Sequence, residues 1–202
     1  MVAGAVFRAA QHPTARRSLS LLSGFARMAA AATTGDRRWA IKRRRTIPFA
    51  LQQVYDVVVD VDAYRHFVPF CSQSRVTTDL SPTAFEADLA ITFMSFEERY
   101  TSRVAVSPPS RSGASGVDVA SVSASSAAGS PLFASLSSEW TMRAAASVDG
   151  AEYTSVHFEA DFEVRSALHA HAVALFIDDV ADRQLNAFAE RTAALARGEA
   201  KT

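Results

Sequence analysis

From Thr154 to Arg165 the chain alternates without a break, and no other stretch restricts its possible folds so much. Thr154, Val156, Phe158, Ala160, Phe162 and Val164 fall on one parity; Ser155, His157, Glu159, Asp161, Glu163 and Arg165 fall on the other. Successive side chains of a strand point to opposite faces, so this segment predicts a strand with one face in a core and one in water. Immediately after it, Ser166 to Arg197 contains neither glycine nor proline and is dominated by alanine, leucine and other good helix formers. A helix about 48 Å long is expected there, with Val173, Phe176, Val180, Ala187 and Phe188 broadly along one side and Gly198 placed to cap it. A half-wet strand feeding a long helix calls for a sheet covered on one face by that helix.

The rest of the chain supplies the other strands. After the basic run Lys42 to Arg45, Thr46 and Ile47 read as the end of a short strand, and Pro48 permits entry into a helix. Leu51, Val54, Tyr55, Val58 and Val61 recur at spacings of three and four, giving one apolar stripe. A shorter helix is expected from about Asp62 to Phe67. Pro69 fixes its own φ and pushes Val68 out of the helical region, so Phe67 and Phe70 flank a bend that cannot continue that helix. From Ser74 the period becomes two. Phe85, Ala87, Leu89, Ile91 and Phe93 share one face; Tyr100, Ser102, Val104 and Val106 share a face on the following strand, after a turn near Ser95. Between Ser107 and Pro131, 20 of 25 residues are Ser, Ala, Gly or Pro, which predicts turns and loop with only a weak strand around Val117, Val119 and Val122. Trp140 and Met142 then share an inward parity.

Charge separates a lead from a body. Residues 1–35 hold Arg8, Arg16, Arg17 and Arg27 but no Asp or Glu, leaving residues 36–202 with 17 basic against 21 acidic residues. Leu19, Leu22 and Phe25 oppose Arg16, Ser20, Ser23 and Arg27 at helical spacing, as a mitochondrial transit peptide requires; Arg8 breaks the apolar run a secretory signal would need. Residues 1–40 are therefore read as a transit peptide or disordered lead and 41–198 as the folded domain. An acidic body argues against a nucleic-acid partner, and no apolar run approaches the ~20 residues that cross a bilayer, so membrane contact is expected to be peripheral.

Chemistry is sparse on the inward parities. His157, Glu159, Asp161, Glu163, Arg99 and Arg103 fall outward, where cross-strand ion pairs are the ordinary role. His169 and His171 are two apart on a helix and cannot form the i, i+4 pair of helical zinc sites; Cys71, the single cysteine, removes multi-cysteine sites. His66 could stand at a cavity mouth. Tyr100 and Ser102 are the inward hydroxyls, without an evident base partner, and the expected cavity is free of acids. What remains is an apolar wall of Phe85, Leu89, Ile91, Phe93, Trp140, Met142, Phe158, Phe162, Phe176 and Val180. Each buried methylene contributes about 0.8 kcal/mol, against about 1 kcal/mol net for a neutral hydrogen bond, so a prenyl lipid could be held without any polar motif.

Residues Tyr55, Asp60-Val61, Tyr64, Phe67-Val68-Pro69, Cys71 and Ser74 form a pattern with Glu98, Tyr100-Thr101-Ser102 and Val104, with Leu132-Phe133, Leu136 and Trp140, and with Val156, Phe158, Phe162, Ser166, Leu168, Phe176, Ala187-Phe188 and Arg191. That combination resembles the mitochondrial coenzyme Q-binding START-domain family, part of the polyketide cyclase and lipid-transport superfamily. Phe70 stands where that family has Trp, and Ala144 where it has Pro. The resemblance implies an α+β helix-grip fold, a curved antiparallel sheet packed around a long C-terminal helix. It also implies a non-catalytic binding protein for ubiquinone or its polyprenyl precursors, supporting coenzyme Q synthesis and respiratory electron transport from the matrix side of the mitochondrial inner membrane. On that reading ubiquinone is a bound ligand and no cofactor is expected; Phe67, Val68, Pro69 and Phe70 gate a cavity lined by Leu89, Ile91, Phe93, Tyr100, Trp140, Phe158, Phe162, Phe176 and Val180. Two other readings are a cyclase or aromatase using Tyr100 and Ser102, and an interaction module for ribosomes or respiratory complexes.

Overall fold

The computed structural model describes residues 37–199 apart from 94–95, 114–115, 127–129 and 149; the side chains of 93, 96, 147–148, 167–169, 171–176 and 178 are also outside the described residues. The amphipathic lead therefore lies outside them too. Seven strands, β1 (Arg38–Ile47), β2 (Cys71–Ser81), β3 (Ala84–Phe93), β4 (Phe96–Arg111), β5 (Asp118–Ser126), β6 (Phe133–Val148) and β7 (Ala151–Val164), make one antiparallel sheet. Its order is β1-β7-β6-β5-β4-β3-β2, so β2 to β7 form a meander and β1 joins the far edge. The expected helix-grip architecture is present, with the closing helix Ala167–Ala196 lying across one face of the sheet.

β1 is ten residues long and begins at Arg38, inside the segment assigned to the lead. The reason is parity. Trp39 and Ile41 face Phe162 and Ala160 across the pair, while Arg38 and Lys42 meet Glu163 and Glu159 on the wet face at 2.8 and 2.9 Å. Arg43 and Arg45, on the inward parity, extend to the closing helix, where Arg43 binds Asp182 at 2.8 Å and Arg45 donates to Asn186. The basic run thus clamps an edge strand to both its neighbours.

Composition misleads between Ser107 and Pro131. β4 continues to Arg111 and β5 occupies Asp118–Ser126, paired on one side with β4 and on the other with β6. Backbone hydrogen bonding on both edges holds a strand of small side chains that has little intrinsic propensity for one. Ala120 and Val122 are buried, and Val119 points the other way.

The first helix, Leu51–Val59, buries Leu51, Val54, Tyr55, Val57 and Val58; the side-chain oxygen of Gln53 accepts the Ala50 N–H at 3.1 Å, half of a capping box. A 3₁₀ turn (Val61–Ala63) and a four-residue helix (Tyr64–Phe67) lead into the Pro69 corner. This corner is tied to β2. Ser74 Oγ accepts the Arg65 N–H at 2.9 Å and donates to the Asp62 carbonyl at 3.2 Å, while Asp62 Oδ1 accepts the Val76 N–H at 2.7 Å. Phe70 carries the chain round with φ of 66°, a left-handed conformation that costs an L-residue roughly 1 kcal/mol or more.

The closing helix ends at a Schellman motif: Gly198 (φ 73°) donates to Leu195 at 3.0 Å and Glu199 to Ala194 at 3.0 Å. Its buried stripe is Ala170, Ala181, Leu185, Phe188 and Thr192, with Ile177 and Gln184 half-buried beside it. Phe188 was expected on that side; Ala187 is only half-buried, and Val173 and Phe176 are outside the described side chains.

Candidate functional site

Large side chains cluster at the two ends of the space under the closing helix. At one end the Trp140 ring lies 4.7 Å from Phe158 and 4.6 Å from Phe188, tilted against each; at the other Trp39 and Phe133 pack on Phe162 at 5.5 and 5.8 Å. Between them the facing residues are small: Ser102, Ala124, Ser126, Ser138, Ala160 and Ala181. Short side chains opposite one another leave the middle unfilled. The result is a cavity of about 300 Å³, the lower end of the range for small-molecule sites.

Val68, Pro69, Phe70 and Cys71 line it at the corner, Leu89 and Ile91 on β3, Tyr100 on β4, Trp140 on β6, Phe158 and Phe162 on β7, and Val180 on the closing helix. These include ten of the residues named from the sequence. Phe67 is not among them. Its ring packs edge-on against Tyr64 at 5.7 Å and Phe188 at 5.1 Å, with the Arg191 guanidinium 5.7 Å above it, so it fastens the corner to the closing helix rather than facing the cavity. The side chains of Phe93 and Phe176 lie outside the described residues. Phe85 and Met142 pack in the core, and His66 is exposed, away from the cavity. Leu132, Phe133, Leu136, Ile177, Ala181 and Gln184 line the cavity without having been singled out for it.

The expectation of an acid-free cavity is overturned by Glu98, 6 % exposed and part of the lining. Its Oε1 accepts a hydrogen bond from Ser130 Oγ and another from the Leu132 N–H at 3.1 Å; Ser130 Oγ lies 2.8 Å from the Phe133 N–H, and Arg165 holds the Ser130 carbonyl at 2.9 Å. Among the described residues, no Lys, Arg or His lines the cavity. The strand period carried the signal: Glu98 precedes Tyr100 by two and Ser102 by four, and so shares their inward parity.

Tyr100 is half-buried and lines the cavity. Removal from water pushes its phenol well above the usual tyrosine value, with smaller contributions from Cys71 and Glu98. Tyr64 is pushed up likewise, chiefly by burial, and donates to the Val58 carbonyl. Burial also raises the Cys71 thiol, which makes it a poor nucleophile; its Sγ is 3.3 Å from the Gln73 carbonyl. Among the described residues no three His, Cys, Asp or Glu side chains converge as metal ligands. An apolar chamber with a few aligned polar groups is suited to holding a ligand with an oxygenated end and a greasy remainder.

The polyketide cyclase/dehydrase and lipid transport family matches residues 47–189, which cover the chain from the end of β1 well into the closing helix. The chain belongs to that family. Members of known sequence include the coenzyme Q-binding protein COQ10, mitochondrial, of Drosophila melanogaster, 32 % identical over 75 % of this chain and 57 % of the relative. The coenzyme Q-binding protein COQ10 homolog B, mitochondrial, of Xenopus laevis is 30 % identical over 79 % of this chain and 60 % of the relative. The chain thus spans about three-fifths of the length of these two relatives. Among solved structures, the ZhuI aromatase/cyclase from Streptomyces sp. R1128 superposes with a TM-score of 0.62 at 18 % identity, over 82 % of this chain and 99 % of that one. At that identity the likeness speaks for the fold.

Proposed function

We propose that this family member is a mitochondrial carrier, or lipid chaperone, for ubiquinone or its polyprenyl precursors, binding them without turnover in support of coenzyme Q synthesis and respiratory electron transfer. The observation that carries the reading is the cavity itself, apolar on most of its surface and about 300 Å³ in volume. That volume suits a substituted ring and the start of its tail, and a long tail must leave the chamber. The names of the two relatives support the ligand class and the compartment. No helix among the described residues is long and apolar enough to cross a membrane, so the reading places the protein peripherally on the matrix face of the inner membrane. Each additional buried methylene adds about 0.8 kcal/mol, which favours distributed apolar contact over a single strong anchor.

Two measurements test this. Organic extraction of the purified protein followed by mass spectrometry should release a quinone or prenylated ring, and added short-chain quinone should quench Trp140 saturably, since that indole lines the cavity. Absence of both signals would remove the carrier reading.

A further inference from the structure

Glu98 is the one carboxylate among the described lining residues, and its hydrogen-bonding capacity is only half used. Glu98 Oε1 takes two donors, Ser130 Oγ and the Leu132 N–H, and these fix the carboxylate in place. Among the described residues nothing donates to Oε2, although the residue is only 6 % exposed and belongs to the cavity wall. Two residues along β4 the Tyr100 hydroxyl likewise lacks a partner among the described residues and faces the same space. Since no buried side-chain polar atom among the described residues lacks a partner, these two oxygens keep access to the cavity, and a ligand that displaces water from them is favoured if it replaces the lost hydrogen bonds.

We propose, building on the carrier reading above, that Glu98 and Tyr100 form the head-group site and make the protein selective for hydroxylated rings. Its preferred ligands are the reduced quinol and phenolic precursors, in preference to the oxidised quinone. The two groups differ in what they can match. A carboxylate oxygen only accepts, whereas a phenol both donates and accepts. A quinol or phenol presents an O–H that Oε2 accepts and an oxygen that Tyr100 can engage. A quinone presents carbonyl oxygens alone, which can take a bond from Tyr100 but set an acceptor against an acceptor at Glu98. Among the described residues, no Lys, Arg or His lines the cavity to offset that contact. Hydrogen bonds to a charged partner are the stronger kind, and the gain corresponds to about tenfold in affinity.

The test uses the full chain, kept anaerobic, titrated with a short-tailed dimethoxy-methyl-benzoquinone and separately with its dithionite-reduced quinol, reading Trp140 quenching. Wild-type protein is expected to bind the quinol about tenfold more tightly than the quinone. In Glu98→Gln the carboxamide keeps an acceptor for Ser130 and Leu132 and places a donor at the second position, so the preference should shrink to within about threefold. Tyr100→Phe should weaken both forms by a similar factor and leave their ratio unchanged. Equal binding of the two forms by wild-type protein, or a preference that survives Glu98→Gln, overturns the head-group assignment and leaves the carrier reading standing. Failure of both forms to bind overturns both readings. Circular dichroism and thermal melts of each variant separate loss of binding from loss of fold.

Discussion

Phe188 holds the cavity's roof to its corner, and truncating it to alanine should cost more than an average core deletion. The ring is 1 % exposed and meets three others: Tyr64 at 5.3 Å, Phe67 at 5.1 Å and Trp140 at 4.6 Å. Removing a buried phenylalanine costs about 3–5 kcal/mol through lost transfer and the void left behind. Aromatic pairs bring about 0.5–1.5 kcal/mol each beyond area. With three such pairs the expected loss is at the top of the range, about 4–5 kcal/mol, a large share of the ~5–15 kcal/mol of a typical domain. At roughly 2–4 °C per kcal/mol for a chain of this size, the melting temperature should fall by about 8–20 °C. Urea unfolding is the assay, and intrinsic fluorescence reports on the site because Trp140 touches the deleted ring. Phe188→Leu, which refills most of the space, should lose less than half as much. A loss below about 1.5 kcal/mol for the alanine variant would show that the roof is held from elsewhere and refute the argument.

Three further outcomes are expected. Phe70→Gly should leave the melting temperature equal or higher by relieving about 1 kcal/mol of left-handed strain, whereas Phe70→Val, β-branched at φ of 66°, should lower it; the reverse order would remove strain from the account of the corner. Tyr64 and Tyr100 have folded-state values raised above the unfolded ~10, and Cys71 is raised above ~8.5–9, so their contribution is complete below those values and is lost as pH rises. Stability measured by urea at pH 8, 9.5 and 10.5 should therefore decline, less steeply in Tyr100→Phe, and a flat profile would contradict the burial of both phenols. A double-mutant cycle on Lys42 and Glu159 should give a coupling below about 1 kcal/mol, because the pair is largely solvated; a larger value would mean that the β1–β7 edge is held by charge instead of by Trp39 and Ile41.

Legibility followed the size of the signal. The parity of Thr154 to Arg165 gave β7 apart from its first three residues, and the absence of Gly and Pro from Ser166 to Arg197 gave the closing helix to within one residue at each end. β5 gave only the weak signal of Val119 and Val122, because its remaining Ser and Ala offer no apolar alternation to read; neighbours hydrogen-bonded on both edges, 20 or more residues away in places, decide its conformation. Two of its small residues, Ala124 and Ser126, help to hollow out the cavity, so a segment that reads as featureless contributes to the site. Phe67 was misplaced because a bend fixes where the chain turns without fixing which flanking ring points in. Glu98 was legible by counting back from Tyr100, but charge at an inward position runs against the usual expectation of a buried face.

Among the described residues, β1 finds its strand partner more than a hundred residues later in the sequence, Lys42 meeting Glu159 at a separation of 117 and Arg38 meeting Glu163 at 125. A ribosome delivers β1 long before β7, so Trp39, Ile41 and Ile47 spend nearly the whole of synthesis without a docking place. Such distant closure makes for slow folding and an interval of vulnerability to self-association. The lysine and arginines that punctuate this strand keep its waiting edge soluble until the last hairpin emerges.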